Sequence, residues 1–279
     1  MGTQWENFLK NLGEWRGSFT QISPVGEILK DTPSLLKLEG LEGNQTVRLT
    51  LQRFPSKPDT TTNPPDDPLV REYQSLGKDI LFFESGTFSQ GTIQVAPFAQ
   101  SGGEFGFVHQ DRRLRLVELF DPGGDLKNLT LIREYRGGTH PAENPALTVE
   151  QLLGTWRGEA VTLYPDLRSP QAFPTQMRLQ RDGDGGIEQQ LTFGDRRISS
   201  RAVVAGSVLR FDTGPDPVQV VLLPGGASAT VPQQVKLRTA FFLEAGWLLN
   251  PQERQRLIRQ YDDTGAWVGL TLVREYRVD

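Results

Sequence analysis

The stretch LTLIREYR, Leu129 to Arg136, returns with one conservative change as LTLVREYR, Leu270 to Arg277. LGEWRG from Leu12 returns as LGTWRG from Leu153, at the same offset. Two anchors at one offset, one opening and one closing a stretch of about 125 residues, mark a duplicated unit. Between them, RLRLVELF from Arg113 lies over RQRLIRQY from Arg254, again at that offset, and EFGF from Glu104 answers EAGW from Glu244 one position short of it. LQR at Leu51 answers LQR at Leu179 at a clearly shorter offset, which places extra residues early in the first copy. PSKPDTTTNPPDDP, Pro55 to Pro68, has the composition of such a surface loop. The domains read as residues 1–136 and 148–279, joined by a linker over 137–147.

Within each copy the apolar pattern alternates. TVRLTLQRF, GTIQVAPF and RLRLVELF in the first copy, and SVLRFD, VQVVLL and RLIRQY in the second, are period-two runs broken by Gly, Pro and Asp. Such runs are antiparallel strands with one buried face. TQWE from Thr3 and TVEQ from Thr148 fit a capping box, so each copy opens on a short helix. The expected fold is all-β: two tandem antiparallel β-barrels, each with a short N-terminal helix. Closure removes exposed strand edges and leaves an interior that is either packed or hollow.

Gly13-Glu14-Trp15 and Gly154-Thr155-Trp156 resemble the Gly-x-Trp signature on the first strand of lipocalins and fatty-acid-binding proteins. Arg133-Glu134-Tyr135 and Arg274-Glu275-Tyr276 resemble the Arg-x-Tyr of the last strand of intracellular fatty-acid-binding proteins. Together they resemble the calycin superfamily. Over its whole length, through FFESGTFSQGTIQVAPFAQSGGEFGFV from Phe82 and FFLEAGWLLNPQERQRLIRQY from Phe241, the chain is similar to a tandem lipocalin-like family of unknown function from cyanobacteria and plastids. Bilin lyases, which attach tetrapyrroles to phycobiliproteins, use the same barrel type, but no lyase motif is matched residue by residue.

The candidate site follows from strand parity. Leu129, Leu131, Arg133 and Tyr135 share one face, as do Leu270, Leu272, Arg274 and Tyr276. The leucines suggest that this face points inward. Arg133 with Tyr135, or Arg274 with Tyr276, would then form a carboxylate clamp, the role the fatty-acid-binding resemblance implies. The alternative, taken from the lipocalin pattern, stacks the arginine on the first-strand Trp and closes the barrel floor. Arg113 and Arg115, answered by Arg254 and Arg256, form a second set; if inward, Glu104 and Glu244 are their partners, and if outward they are solvated. Phe82, Phe83 and Phe88 line either a pocket or the core.

Composition limits the chemistry. The chain has no cysteine, only two histidines (His109 and His140) and a net charge of −4. Thiolate chemistry, Cys-based zinc sites and a repeated Ser-His-Asp triad are therefore excluded, and neither half is basic enough to grip nucleic acid. Acid–base chemistry through Glu84, Glu104 or Glu244 stays open. LLPGGASATVP from Leu222 lacks the Gly-Lys-Ser/Thr of a phosphate loop. No metal, cofactor or membrane span is expected, and a reducing, cytoplasmic home is the simplest. The expected function is binding of a hydrophobic or amphipathic acidic small molecule: a fatty acid, an apocarotenoid or a tetrapyrrole. Its rivals are a bilin lyase or isomerase, and an assembly protein whose filled barrels bind a protein partner.

Overall fold

The computed structural model describes residues 2–54, 67–213 and 217–278. All but the last two residues of the Pro55–Pro68 loop lie outside the described residues. The first half comprises helix α1 (Gln4–Phe8) and strands β1 (Gly13–Ile22), β2 (Ile28–Leu41), β3 (Thr46–Arg53), β4 (Leu69–Tyr73), β5 (Ile80–Phe82), β6 (Phe88–Gly91), β7 (Ser101–His109), β8 (Arg112–Phe120) and β9 (Leu126–Arg136). The second comprises α2 (Val149–Leu152), β10 (Gly154–Leu163), β11 (Gln171–Arg181), β12 (Ile187–Phe193), β13 (Arg196–Ala205), β14 (Val208–Phe211), β15 (Val218–Leu222), β16 (Ala227–Pro232), β17 (Phe241–Asn250), β18 (Glu253–Tyr261) and β19 (Trp267–Arg277). Both capping boxes form: Thr3 with Glu6, and Thr148 with Gln151. Among the described residues no helix is long and apolar enough to cross a membrane.

In each half the last strand pairs antiparallel with the first. At that pairing a Cβ on Gly17 would collide with the backbone carbonyl of Arg133, and one on Gly158 with that of Arg274. That explains the glycine after each Trp-Arg. The second half closes into a ten-stranded barrel. The first does not: its nine strands curl but stay open between β4 and β5. The expected all-β tandem architecture is present, with closure complete in the second half and partial in the first among the described residues. Among the described residues, no strand of the first half stands where β14 stands in the second. In the second half the Leu222 backbone N–H donates to the Ser207 carbonyl, at 2.7 Å. At the matching place in the first half the Phe82 N–H donates to Oε1 of Gln4, also at 2.7 Å, and the Phe82 carbonyl accepts from Gln4 Nε2 at 3.0 Å. A helix side chain thus takes the place of a strand.

Strand pairing also corrects one alignment. Trp15 lies opposite Leu36 and Trp156 opposite Met177, so Leu38 matches Leu179, at the offset of the two anchors. Leu51 lies opposite Leu36 and therefore matches Leu191. The shared LQR is a coincidence of sequence, not of position.

The leucine face of the last strands does not point into the barrels. Leu129 and Leu131 join Phe105, Phe107, Leu114 and Leu116 in one buried cluster with Leu270, Leu272, Ala245, Trp247 and Leu257. This seam between the halves is the largest apolar core of the molecule, and each buried Leu or Phe in it contributes about 1.5–3 kcal/mol. The seam is pseudo-twofold. Val95 N–H donates to Gly265 O at 2.8 Å, and Val235 N–H to Gly124 O at 2.8 Å. Gln94 Nε2 donates to Thr264 O, and Gln234 Nε2 to Gly123 O. Each bond is the other with the halves exchanged, the self-complementary pattern of a symmetric dimer.

One matched pair in the seam breaks the symmetry. Glu118 corresponds to Arg259 at the offset of the repeat, and both are fully buried. Arg259 stacks on Trp267 at 3.6 Å and donates to the Tyr261 hydroxyl and the Thr92 carbonyl. Neither Glu118 oxygen has a hydrogen-bond partner among the described residues. Burial, with Glu244 nearby, holds its pKa well above the usual carboxylate range.

Two measurable outcomes follow. Leu131→Ala, which opens a cavity in the seam, is expected to lower stability by about 3 kcal/mol in urea denaturation. Glu118 binds its proton more tightly folded than unfolded, so its contribution to stability falls as pH rises above about 4.5. Glu118→Gln is expected to remove that part of the pH dependence, measured as the midpoint of urea unfolding from acid to neutral pH.

Candidate functional site

With the leucines in the seam, the other face of each last strand faces the barrel interior. In the first half Glu134 stands there with a side chain 0% exposed. Arg113 Nε donates to its Oε2 at 2.8 Å; Arg115 donates through Nε to Oε2 and through Nη2 to Oε1, both at 3.0 Å. Arg115 Nη1 continues to Glu104 Oε1 at 2.8 Å. The second half repeats the chain. Arg254 donates to Glu275 at 2.9 and 2.6 Å, Arg256 reaches Glu275 at 3.2 Å, and Arg256 Nη1 reaches Glu244 at 3.0 Å.

These contacts satisfy charges that burial alone would make very costly. Burial pushes the Glu134 carboxyl up, but Arg113 and Arg115 outweigh it and hold the pKa at about 2. Glu275 is lowered by the same contest between burial and its two arginines. Burial lowers Arg113 and Arg254, whereas Arg115 and Arg256, each touching two carboxylates, are raised. The set Arg113, Arg115, Arg254, Arg256, Glu104 and Glu244 is thus brought together inside, as the inward alternative requires. The sequence reading missed the central Glu134 and Glu275. An acid between the Arg and the Tyr of the last strand, opposite an Arg pair on its neighbour, was the available signal.

The other predicted residues lie elsewhere. Arg133 and Tyr135 lie on the outer face and line a groove of about 420 Å³ under the linker. There Arg133 pairs with Glu143 at 2.8 Å and donates to Thr20 at 3.1 Å, while Tyr135 contacts His140. Arg274 is exposed, and Tyr276 is 53% exposed. The expectation that these four face inward is corrected: the leucines that set the parity were seam residues. Stacking on Trp does occur, through other arginines. Arg113 and Arg136 flank Trp15, each at 4.5 Å, and Arg254 and Arg277 flank Trp156 at 4.8 and 4.6 Å. Phe82 and Phe88 pack in the core beneath α1, and Phe83 in the seam. No cluster suited to a metal ion occurs among the described residues.

Above the network, the first half holds a cavity of about 560 Å³. Phe19, Leu36, Leu49, Leu51 and Ile132 form its apolar wall, and Arg115 and Glu104 its polar floor. Glu104 is 27% exposed, whereas Glu244 is 9% exposed. Lys30, Arg53 and Arg71 also line the cavity, on β2, β3 and β4. Arg53 lies over the Phe19 ring at 4.8 Å. None of the three has an acidic partner among the described residues. Register gives their counterparts in the second half as Gln171, Phe193 and Ser200, all uncharged.

Comparison with known proteins places the chain. A crystal structure of a protein of unknown function from the DUF3598 family of Nostoc punctiforme is 53% identical, with a TM-score of 0.93 and 100% of both chains covered. The family model for the DUF3598 N-terminal domain matches residues 1–139. The chain belongs to the DUF3598 family. Residues 143–278 match the C-terminal domain model of Biogenesis factor required for ATP synthase 1. An S-type phycobiliprotein lyase of Guillardia theta is 12% identical over 47% of this chain and 90% of its own, with a TM-score of 0.35. No curated protein matches.

Glu134→Gln leaves Arg113 and Arg115 short of a counter-charge, and is expected to cost about 3 kcal/mol at neutral pH. Because the Glu134 pKa is depressed, its contribution is complete above about pH 4.5 and fades as pH falls through about 2. The gap between wild type and variant in denaturant titrations should therefore narrow with acid.

Proposed function

We propose that the first half binds an amphipathic, acidic small molecule in its cavity. The carrying observation is the contrast between the halves. Both have the Arg–Glu–Arg network and the Trp floor, and only the first adds Lys30, Arg53 and Arg71 around the space above it. A volume of about 560 Å³ suits a fatty acid, an apocarotenoid or a compactly folded tetrapyrrole. The apolar body lies against Phe19, Leu36, Leu49 and Leu51, with Arg115 and Glu104 beneath it. The acid meets Lys30 and Arg53 at the mouth. Arg133 and Tyr135 anchor the linker in this reading and touch no ligand. The second-half set of Arg254, Arg256 and Glu244 serves folding. The fold of the barrel supports the calycin reading of the sequence, and the chain works as a soluble cytoplasmic binder.

A second reading rests on the family model over residues 143–278, whose description names a biogenesis factor. In it the second barrel, with a floor of mutually paired charges, presents its outer surface to a protein subunit during assembly. Stable co-elution with a purified assembly subunit, unchanged when the first-half cavity is filled by Leu49→Trp, would favour it.

The first reading is tested by calorimetric titration with dodecanoate. Saturable one-to-one uptake is expected. Lys30→Gln combined with Arg53→Gln should weaken it about tenfold, as loss of two exposed charge contacts does. Leu49→Trp should abolish it, and Arg274→Gln should leave it unchanged. No uptake by the folded wild-type chain would remove the reading.

A further inference from the structure

The cavity's charge says more about the ligand than that it is acidic. Below the mouth the charges cancel: Arg113 and Arg115 face Glu134 and Glu104. Above it stand Lys30, Arg53 and Arg71, three cations with no acid to answer them among the described residues. A monocarboxylate would neutralise one of the three. All three are exposed at the rim, and the attraction they offer a ligand grows with the negative charge it brings.

Their placement makes this specific to binding. The residues come from three neighbouring strands, so folding alone does not require all three to be basic. The second half shows as much: Gln171, Phe193 and Ser200 fill the same register positions in a barrel with the same internal network. Arg53 is held against Phe19, which fixes its guanidinium at the cavity wall. An arginine so placed offers two parallel donors to a phosphate or a paired carboxylate, while Lys30 acts as a point charge.

We infer that the ligand bears two negative charges at one end of an apolar body, as a phosphate monoester or a geminal dicarboxylate does. This rests on the cavity reading and narrows it. The dianion sits across Lys30, Arg53 and Arg71, and the chain beneath it enters the apolar wall.

The test compares three probes of equal chain length, dodecanoate, dodecyl phosphate and dodecylmalonate, by calorimetry on the full chain. Both dianions are expected to bind at least roughly fivefold tighter than dodecanoate, the factor for one additional exposed charge contact. Dodecyl phosphate should tighten as pH rises through about 6, where its second proton leaves. Dodecanoate should not, because its carboxylate has no second proton to lose. Arg71→Gln should reduce the preference for the dianions over dodecanoate, read as the ratio of the two affinities. A preference for phosphate alone would assign a phosphate ester; equal preference for both dianions would assign charge as the criterion. Dodecanoate binding as tightly as the dianions overturns the inference and leaves the cavity reading in place. Failure of all three probes to bind overturns both.

Discussion

A β-strand has two faces, and the last strand of each half must serve two different neighbours with them. One face closes the seam between the halves, the other closes the interior of its own barrel. Leu129 and Leu131, with Leu270 and Leu272, go to the seam, where apolar area is plentiful. Glu134 and Glu275 are thereby committed to the interior, where an ionised carboxylate survives only if fully paired. The Arg pairs on the adjoining strand, Arg113 with Arg115 and Arg254 with Arg256, follow from that. So does the position of the Trp floor, since Arg113 and Arg254 each lie against it. A one-residue slip would exchange the faces and strand both sets.

The seam has the symmetry of a dimer made within one chain, and that symmetry frees the halves to differ elsewhere. The reciprocal bonds of Val95 with Gly265 and Val235 with Gly124 hold the two units face to face. Away from the seam they diverge. The second half adds β14 and closes; the first lets Gln4 satisfy the edge of Phe82 and stays open. Even within the seam, Glu118 and Arg259 show that matched positions have drifted to opposite charge types.

Much of the fold was legible because the repeat, the turn residues and the capping boxes are local and redundant. Two copies of a signal at one offset are hard to misread. The parity of the last strand was not legible, because the usual rule equates the apolar face with the interior of its own domain. Here the more apolar face lies between domains and the interior is partly ionic. Arg133 and Tyr135 were therefore assigned to the cavity, whereas Arg115 and Glu104 occupy it. Lys30, Arg53 and Arg71 were invisible to the repeat argument for a different reason: that argument collects what the halves share. The open gap was hidden because a missing short strand leaves no mark in a sequence whose loops also vary.

What the halves share is therefore a poor guide to what the chain does. The Arg–Glu–Arg network is the most chemically conspicuous feature in the molecule. Yet it occurs equally in a barrel that closes over it. In each copy every carboxylate in it is answered by a guanidinium, so it has little left to offer a ligand. Its role is to let a strand with an acid on one face be buried at all. Recognition needs groups whose partners are missing from the folded chain, and duplication supplies an internal control for finding them. Subtracting the second half from the first removes the network, the Trp floor and the seam. It leaves an opening between two strands, and three cations at the rim of the first-half cavity with no acid to answer them among the described residues.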